Sequence, residues 1–169
     1  MDNYLIKKGN HYANVSLFQR LFSVGWNIHQ MSVNFKFAKE CWWAPPRNSD
    51  DNDLNKLCGI GYGLSLHQNS VRFAWVPDFT KPGIINIYGY TYDENTSGHS
   101  SKFIAPVTVD EVHTGLIKSI NNQYMLMVGI TTIYMDNVHS DSGLSYRLFP
   151  YFGGNNTAPC DMVVGLEII

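Results

Sequence analysis

Charged side chains are scarce in this sequence: Asp, Glu, Lys and Arg make up 15% of its 169 residues, against roughly 25% in ordinary soluble domains. Its surface must therefore be made polar by Asn, Ser, Thr, Gly and Tyr. Neither sign dominates, with 12 Lys and Arg against 14 Asp and Glu and a net charge of -2. Such a balance has no field to gather nucleic-acid phosphates or anionic lipid, so neither nucleic acid nor a membrane is an expected partner. Long apolar runs are missing too. No stretch reaches the ~18 uncharged apolar residues of a membrane span, and Met1–Asn10 holds no apolar core of a signal peptide. A cytoplasmic protein is expected, in which the glycosylation sequons at Asn14, Asn95 and Asn155 have no consequence. Cysteine is equally sparse. Cys41, Cys58 and Cys160 are odd in number, far apart and without a C-x-x-C pair, which argues against a disulfide framework or a zinc site and for buried thiols.

What the sequence does have is alternation with a period of two, the mark of strands with one face toward a core. Met31, Val33, Phe35 and Phe37 alternate with Ser32, Asn34 and Lys36. Cys58, Ile60, Tyr62, Leu64 and Leu66 alternate with Gly59, Gly61, Gly63 and Ser65, so one face of that strand is nearly bare. Either neighbouring aromatic rings cover the glycines or a ligand lies across them. A turn at His67-Gln68-Asn69-Ser70 leads to Val71–Val76, ended by Pro77, and the two runs read as a hairpin. From Ile84 to Tyr92, Ile85 and Ile87 take one face while Asn86, Tyr88, Tyr90 and Tyr92 take the other. Lys102 to Val109 reads as a short strand interrupted by Pro106, and Asp110 to Ser119 as the one weak helical spacing, with Gly115 and β-branched residues against it. Asn121-Asn122 predicts a turn before Tyr124, Leu126, Val128 and Ile130. Leu144 to Phe149 forms another strand, and Met162, Val164, Leu166 and Ile168 alternate to the last residues, a terminus that must be paired inside a sheet. Eight to ten short strands without a long helix predict an all-β fold. The expected architecture is a two-sheet antiparallel β-sandwich of jelly-roll type, formed as one domain over residues 1–169.

Complete catalytic motifs are missing. There is no G-x-S-x-G elbow for a nucleophile, and Glu40, Glu94, Glu111 and Glu167 are isolated, so a carboxylate pair for glycoside hydrolysis is not expected. The six histidines are scattered, with His29 and His67 the two worth testing as a base. The acidic run Asp50–Asp53 matches no EF-hand spacing and reads as a solvated loop, so neither metal nor cofactor is expected. Aromatic supply is the stronger signal. Planar rings pack on the C–H faces of sugars while amides and hydroxyls take their hydroxyl groups, and Trp42, Trp43, Arg72, Tyr88, Tyr90 and Tyr92 are the candidates for such a surface.

Leu148-Phe149-Pro150-Tyr151-Phe152-Gly153-Gly154-Asn155-Asn156-Thr157-Ala158-Pro159-Cys160-Asp161, followed by a hydrophobic strand, resembles the C-terminal signature of small jelly-roll proteins of Bacteroidetes and their phages. That resemblance implies a concanavalin A-like lectin or glucanase fold, with Cys160 standing where the pattern has a His. Tyr151-Phe152-Gly153-Gly154 is also similar to the Tyr-Phe-Lys-x-Gly motif of jelly-roll polysaccharide lyases, which implies a site role for Tyr151. The Arg-x-Glu and Gln-x-His strands of those lyases do not occur. The expected function is a non-catalytic module binding carbohydrate or another small polar ligand, alone or within a homo-oligomer or larger assembly. Its alternatives are a phage virion or host-interaction protein, and a lyase on acidic glycans with Tyr151 as acid or base and Arg72 neutralising a carboxylate.

Overall fold

The computed structural model describes residues 1–21, 23–43, 53–63, 69–93, 98–136 and 143–169. Twelve strands are found among them: β1 (Asp2–Ile6), β2 (Val24–Trp26), β3 (Gln30–Phe37), β4 (Asn55–Tyr62), β5 (Ser70–Pro77), β6 (Ile84–Asp93), β7 (Gly98–Thr108), β8 (His113–Ile120), β9 (Gln123–Val128), β10 (Thr131–Asp136), β11 (Leu144–Leu148) and β12 (Met162–Ile168). They form two six-stranded antiparallel sheets, β1-β12-β3-β8-β9-β10 and β2-β11-β4-β5-β6-β7. This is the jelly-roll sandwich that the alternation predicts. Among the described residues helix is confined to α1 (Leu17–Leu21) and one 3-10 turn at Lys39–Cys41, and no described helix is long and apolar enough to cross a membrane.

One contiguous core lies between the sheets, because each sheet turns its apolar alternate positions inward. Phe35 and Phe37 of β3 meet Trp75 and Phe73 of β5 there, all fully buried, with the Phe37 and Trp75 rings 4.9 Å apart. Two glycines set how closely the sheets approach. A Cβ at Gly115 would stand 2.9 Å from the Phe73 ring, and one at Gly89 2.7 Å from the Met135 sulfur. Gly115 therefore belongs to a strand, β8, which pairs with β3 and β9. The weak helical spacing over Asp110 to Ser119 is overruled by this pairing. Pro106 does not end its strand either: β7 runs through it, as an edge strand can, since a proline there withholds no ladder bond from a second neighbour. The apolar terminus is paired as expected, β12 lying between β1 and β3. Cys41 and Cys58 are buried and Cys160 is partly so, and all three are free thiols.

Candidate ligand-binding face

The outward face of the second sheet gathers the site. On β5 the core takes Val71, Phe73 and Trp75, so Ser70, Arg72 and Ala74 face away from it. Register then dictates their neighbours, because directly paired residues share a face. Arg72 lies between Gly59 of β4 and Tyr90 of β6, and Gly59 lies beside Leu148 of β11. One row further along, Ser70 lies between Gly61 and Tyr92, and Tyr146 of β11 lies beside Gly61. On the other side, Lys56 pairs with Ala74, which pairs with Tyr88.

The glycine face of β4 is thereby accounted for by its neighbours. A Cβ on Gly61 would run into the Tyr146 ring, and one on Gly59 into the Val71 carbonyl and, at 2.8 Å, Arg72 Cγ. The Arg72 stem and the Tyr146 ring occupy that surface.

Arg72 is only 4% exposed, and its Nε donates to Ser70 Oγ at 2.9 Å. Burial pulls its guanidinium down to about 10, while the hydroxyls of Tyr90, Tyr146 and Tyr151 act in the opposite direction. Lys56 stands beside it, with Nζ 4.2 Å from the Tyr90 ring centroid and donating to the Leu54 carbonyl at 2.5 Å. Its ammonium is lowered to about 8, first by burial and then by the charge of Arg72, against a smaller opposing effect of Asp53. Burial raises Tyr90 and Tyr151, so both phenols are neutral donors near neutral pH.

The C-terminal segment delivers Tyr151 to this pair. Tyr151 and Lys56 exchange backbone hydrogen bonds of 2.8 and 2.9 Å, and Phe152 N–H donates to the His11 carbonyl at 2.7 Å. The glycines after it are steric requirements. A Cβ on Gly153 would meet the Leu54 carbonyl and Lys56 Nζ, and Gly154 takes a left-handed φ of 77° beside the Asp53 carboxylate. Tyr151 is flanked by Tyr12, edge-on at 5.1 Å, and by the stacked His11 ring at 5.5 Å. Beyond Tyr151 a groove of about 510 Å³ opens, walled by Tyr12, Val24, Leu144, Tyr146 and Leu148.

Of the residues expected from sequence, Arg72, Tyr88, Tyr90, Tyr92 and Tyr151 are brought to this one region. Trp42 and Trp43 are not. Trp43 is 8% exposed and packs in the core against Trp75, Phe79 and Phe152; Trp42 is half-buried and ties its indole N–H to the Asp78 carbonyl at 3.0 Å. Local sequence put them beside an exposed loop, but the chain folds them under the sheet. Of the candidate bases, His29 is exposed and offers its backbone carbonyl to Ser119. His67, and the acidic run up to residue 52, lie outside the described residues. No group of three His, Cys, Asp or Glu among the described residues could hold a metal ion. Sequence reasoning passed over Lys56, Tyr146 and Trp26. Tyr146 is marked only by its place opposite Gly61, Lys56 only by its pairing with Ala74 and Tyr151, and Trp26 lies in a strand too short to show a period.

No family model matches the chain, and no curated protein does. Solved structures do. The alginate lyase AlyC3 superposes with a TM-score of 0.60 at 10% identity, over 99% of this chain and 74% of that one. The alginate lyase from Klebsiella pneumoniae gives 0.58 at 10% identity, over 83% and 59%. A Bacteroides ovatus mixed-linkage glucan GH16 structure in complex with a product gives 0.55 at 10% identity, over 99% and 80%. This chain therefore shares the jelly-roll fold of these structures, and spans less than two thirds of the length of the Klebsiella enzyme.

Proposed function

We propose that the protein, acting as one domain, binds an acidic glycan across the outward face of the second sheet, with Arg72 and Lys56 seating an anionic group. The observation that carries this reading is the placement of two cations on neighbouring strands beside Tyr90, where burial disfavours both charges and Arg72 further disfavours that of Lys56. An anionic ligand offsets that cost, whereas a neutral one leaves it in place. Tyr88 and Tyr92 then supply ring faces and hydroxyls for the sugars on either side, while the Tyr90 ring, held between Lys56 and His99, backs the cations. Neighbouring folds support a saccharide ligand: a family 7 alginate lyase in complex with substrate superposes at a TM-score of 0.54 and 9% identity.

Affinity electrophoresis in gels cast with alginate or with neutral mixed-linkage glucan tests the reading. Alginate should retard the protein and neutral glucan should not, and Arg72→Met should weaken retardation at least tenfold, the loss of about one charged contact. Equal retardation of wild type and Arg72→Met overturns it. A second reading, elimination of the bound uronate with Tyr151 moving the proton, is favoured by the backbone clamp that holds Tyr151 at Lys56. Ultraviolet absorbance of an unsaturated product, lost in a Tyr151→Phe variant that still binds alginate, is its signature; binding without product leaves the protein a binding module.

A further inference from the structure

We infer that Trp26 is a distal stacking platform for the same glycan chain, extending the face past Tyr146 onto β2; this rests on the glycan reading above. Trp26 is 72% exposed. The other three tryptophans are accounted for by the fold, Trp43 and Trp75 in the core and Trp42 through its bond to Asp78. The exposed ring does not sit on a loose strand. Trp26 pairs with Leu144, and the next residue, Asn27, takes a left-handed φ of 55°. Asn27 N–H donates to the Gly143 carbonyl at 2.9 Å, and the Asn27 side-chain oxygen accepts from Gly143 N–H at 2.6 Å. Ile28 N–H donates to Ser145 Oγ at 3.3 Å. A large apolar ring held in water on a pinned backbone contributes little to folding, but it is pre-organised for a ligand.

Register joins it to the Arg72 region. Val24, two residues before Trp26 and on the same face, pairs with Tyr146, which pairs with Gly61 in the row of Ser70 and Tyr92. Between β5 and β2 lie three strand spacings, about 14 Å. A chain anchored by its anionic group at Arg72 and running across the strands passes Tyr146 and the groove before it reaches the indole. Among the described residues, the groove walls toward Trp26 are Val24, Leu144 and Tyr146, with no carboxylate to repel an acidic chain. Sugar C–H faces are the surface that a single exposed indole takes up without a matching apolar cavity.

Reach makes chain length the readout. Titration calorimetry with a ladder of alginate oligosaccharides should show Trp26→Ala binding the shortest ligand as wild type does, and losing about five- to tenfold in affinity for long ones. Trp26→Phe should recover most of that loss. Long oligosaccharides should also shift the tryptophan emission of the wild type and leave that of Trp26→Ala unmoved. If Arg72→Met abolishes binding while Trp26→Ala matches wild type at every length, the platform is refuted and the acidic-glycan site stands. If no alginate oligosaccharide binds the wild type, both fall. A concentration-dependent dimer that Trp26→Ala dissociates also refutes the platform, because the ring then serves a second copy of the chain.

Discussion

Gly59 shows what a single missing side chain does for this face. Its hydrogen lies where a methyl group would strike the Val71 carbonyl and the Arg72 Cα, and backbone atoms cannot step aside as a side chain can. Gly59→Ala should therefore lower stability by about 1–3 kcal/mol and displace the Arg72 stem, which urea denaturation and glycan affinity would report together. Lys56 carries the opposite tension. Its pKa of about 8, lower than the ordinary lysine value, means the fold disfavours its charge. Below pH 8 the full penalty is present; between about 8 and 10.5 the unfolded chain binds more protons than the folded one, so stability rises with pH. Lys56→Met should accordingly melt a few degrees higher than wild type near neutral pH, with the gain shrinking as pH rises through that window, and should bind alginate less well. A variant less stable than wild type at neutral pH would show that the ammonium is stabilised where it stands.

Among the elements, hairpins were the most legible part. Asn121-Asn122 connects β8 to β9, whose ends pair at Ile120 and Gln123, and both asparagines take left-handed φ, 50° and 61°. Two consecutive left-handed residues define the primed turn that matches strand twist, and Asn is the side chain that tolerates it after Gly. Asn122→Val should lower stability by about 1–2 kcal/mol and Asn122→Gly should not, as equilibrium denaturation would show. The elements that escaped sequence reading are short. Three residues of β2 and five of α1 cannot display a period, and α1 is set instead by Ser16, whose hydroxyl accepts the Gln19 N–H while Gln19 Oε1 accepts the Ser16 N–H. β8 was ambiguous for a different reason. Val112, Leu116 and Ile120 fit a helical spacing, and only the pairing of β8 between β3 and β9, with Gly115 under the Phe73 ring, decides for a strand.

For the whole molecule, a net charge of -2 hides a local cation pair: composition argued against nucleic acid and anionic lipid, while topology sets Lys56 and Arg72 on adjacent strands. Two consequences can be measured. Bound carboxylate favours the ammonium of Lys56, so alginate affinity should be highest below pH ~8 and fall as the lysine deprotonates, while Arg72 stays charged up to about 10. Calorimetry from pH ~6 to ~9.5 should show this decline, and Lys56→Met should flatten it; a flat wild-type profile would remove Lys56 from the ligand face. Added salt should weaken the interaction only modestly, because partly buried charges are poorly screened. The alternation of side chains belongs to the local chain, and so the sequence alone determined most of the longer strands, the all-β sandwich and the common face of Tyr88, Tyr90 and Tyr92. Which strands become neighbours is not a local property. Only the tertiary structure decided that Lys56, Arg72, Tyr90, Tyr146 and Tyr151 meet, and that Trp43 is buried while Trp26 is left in water, because pairing partners are chosen by how two whole sheets close over one core.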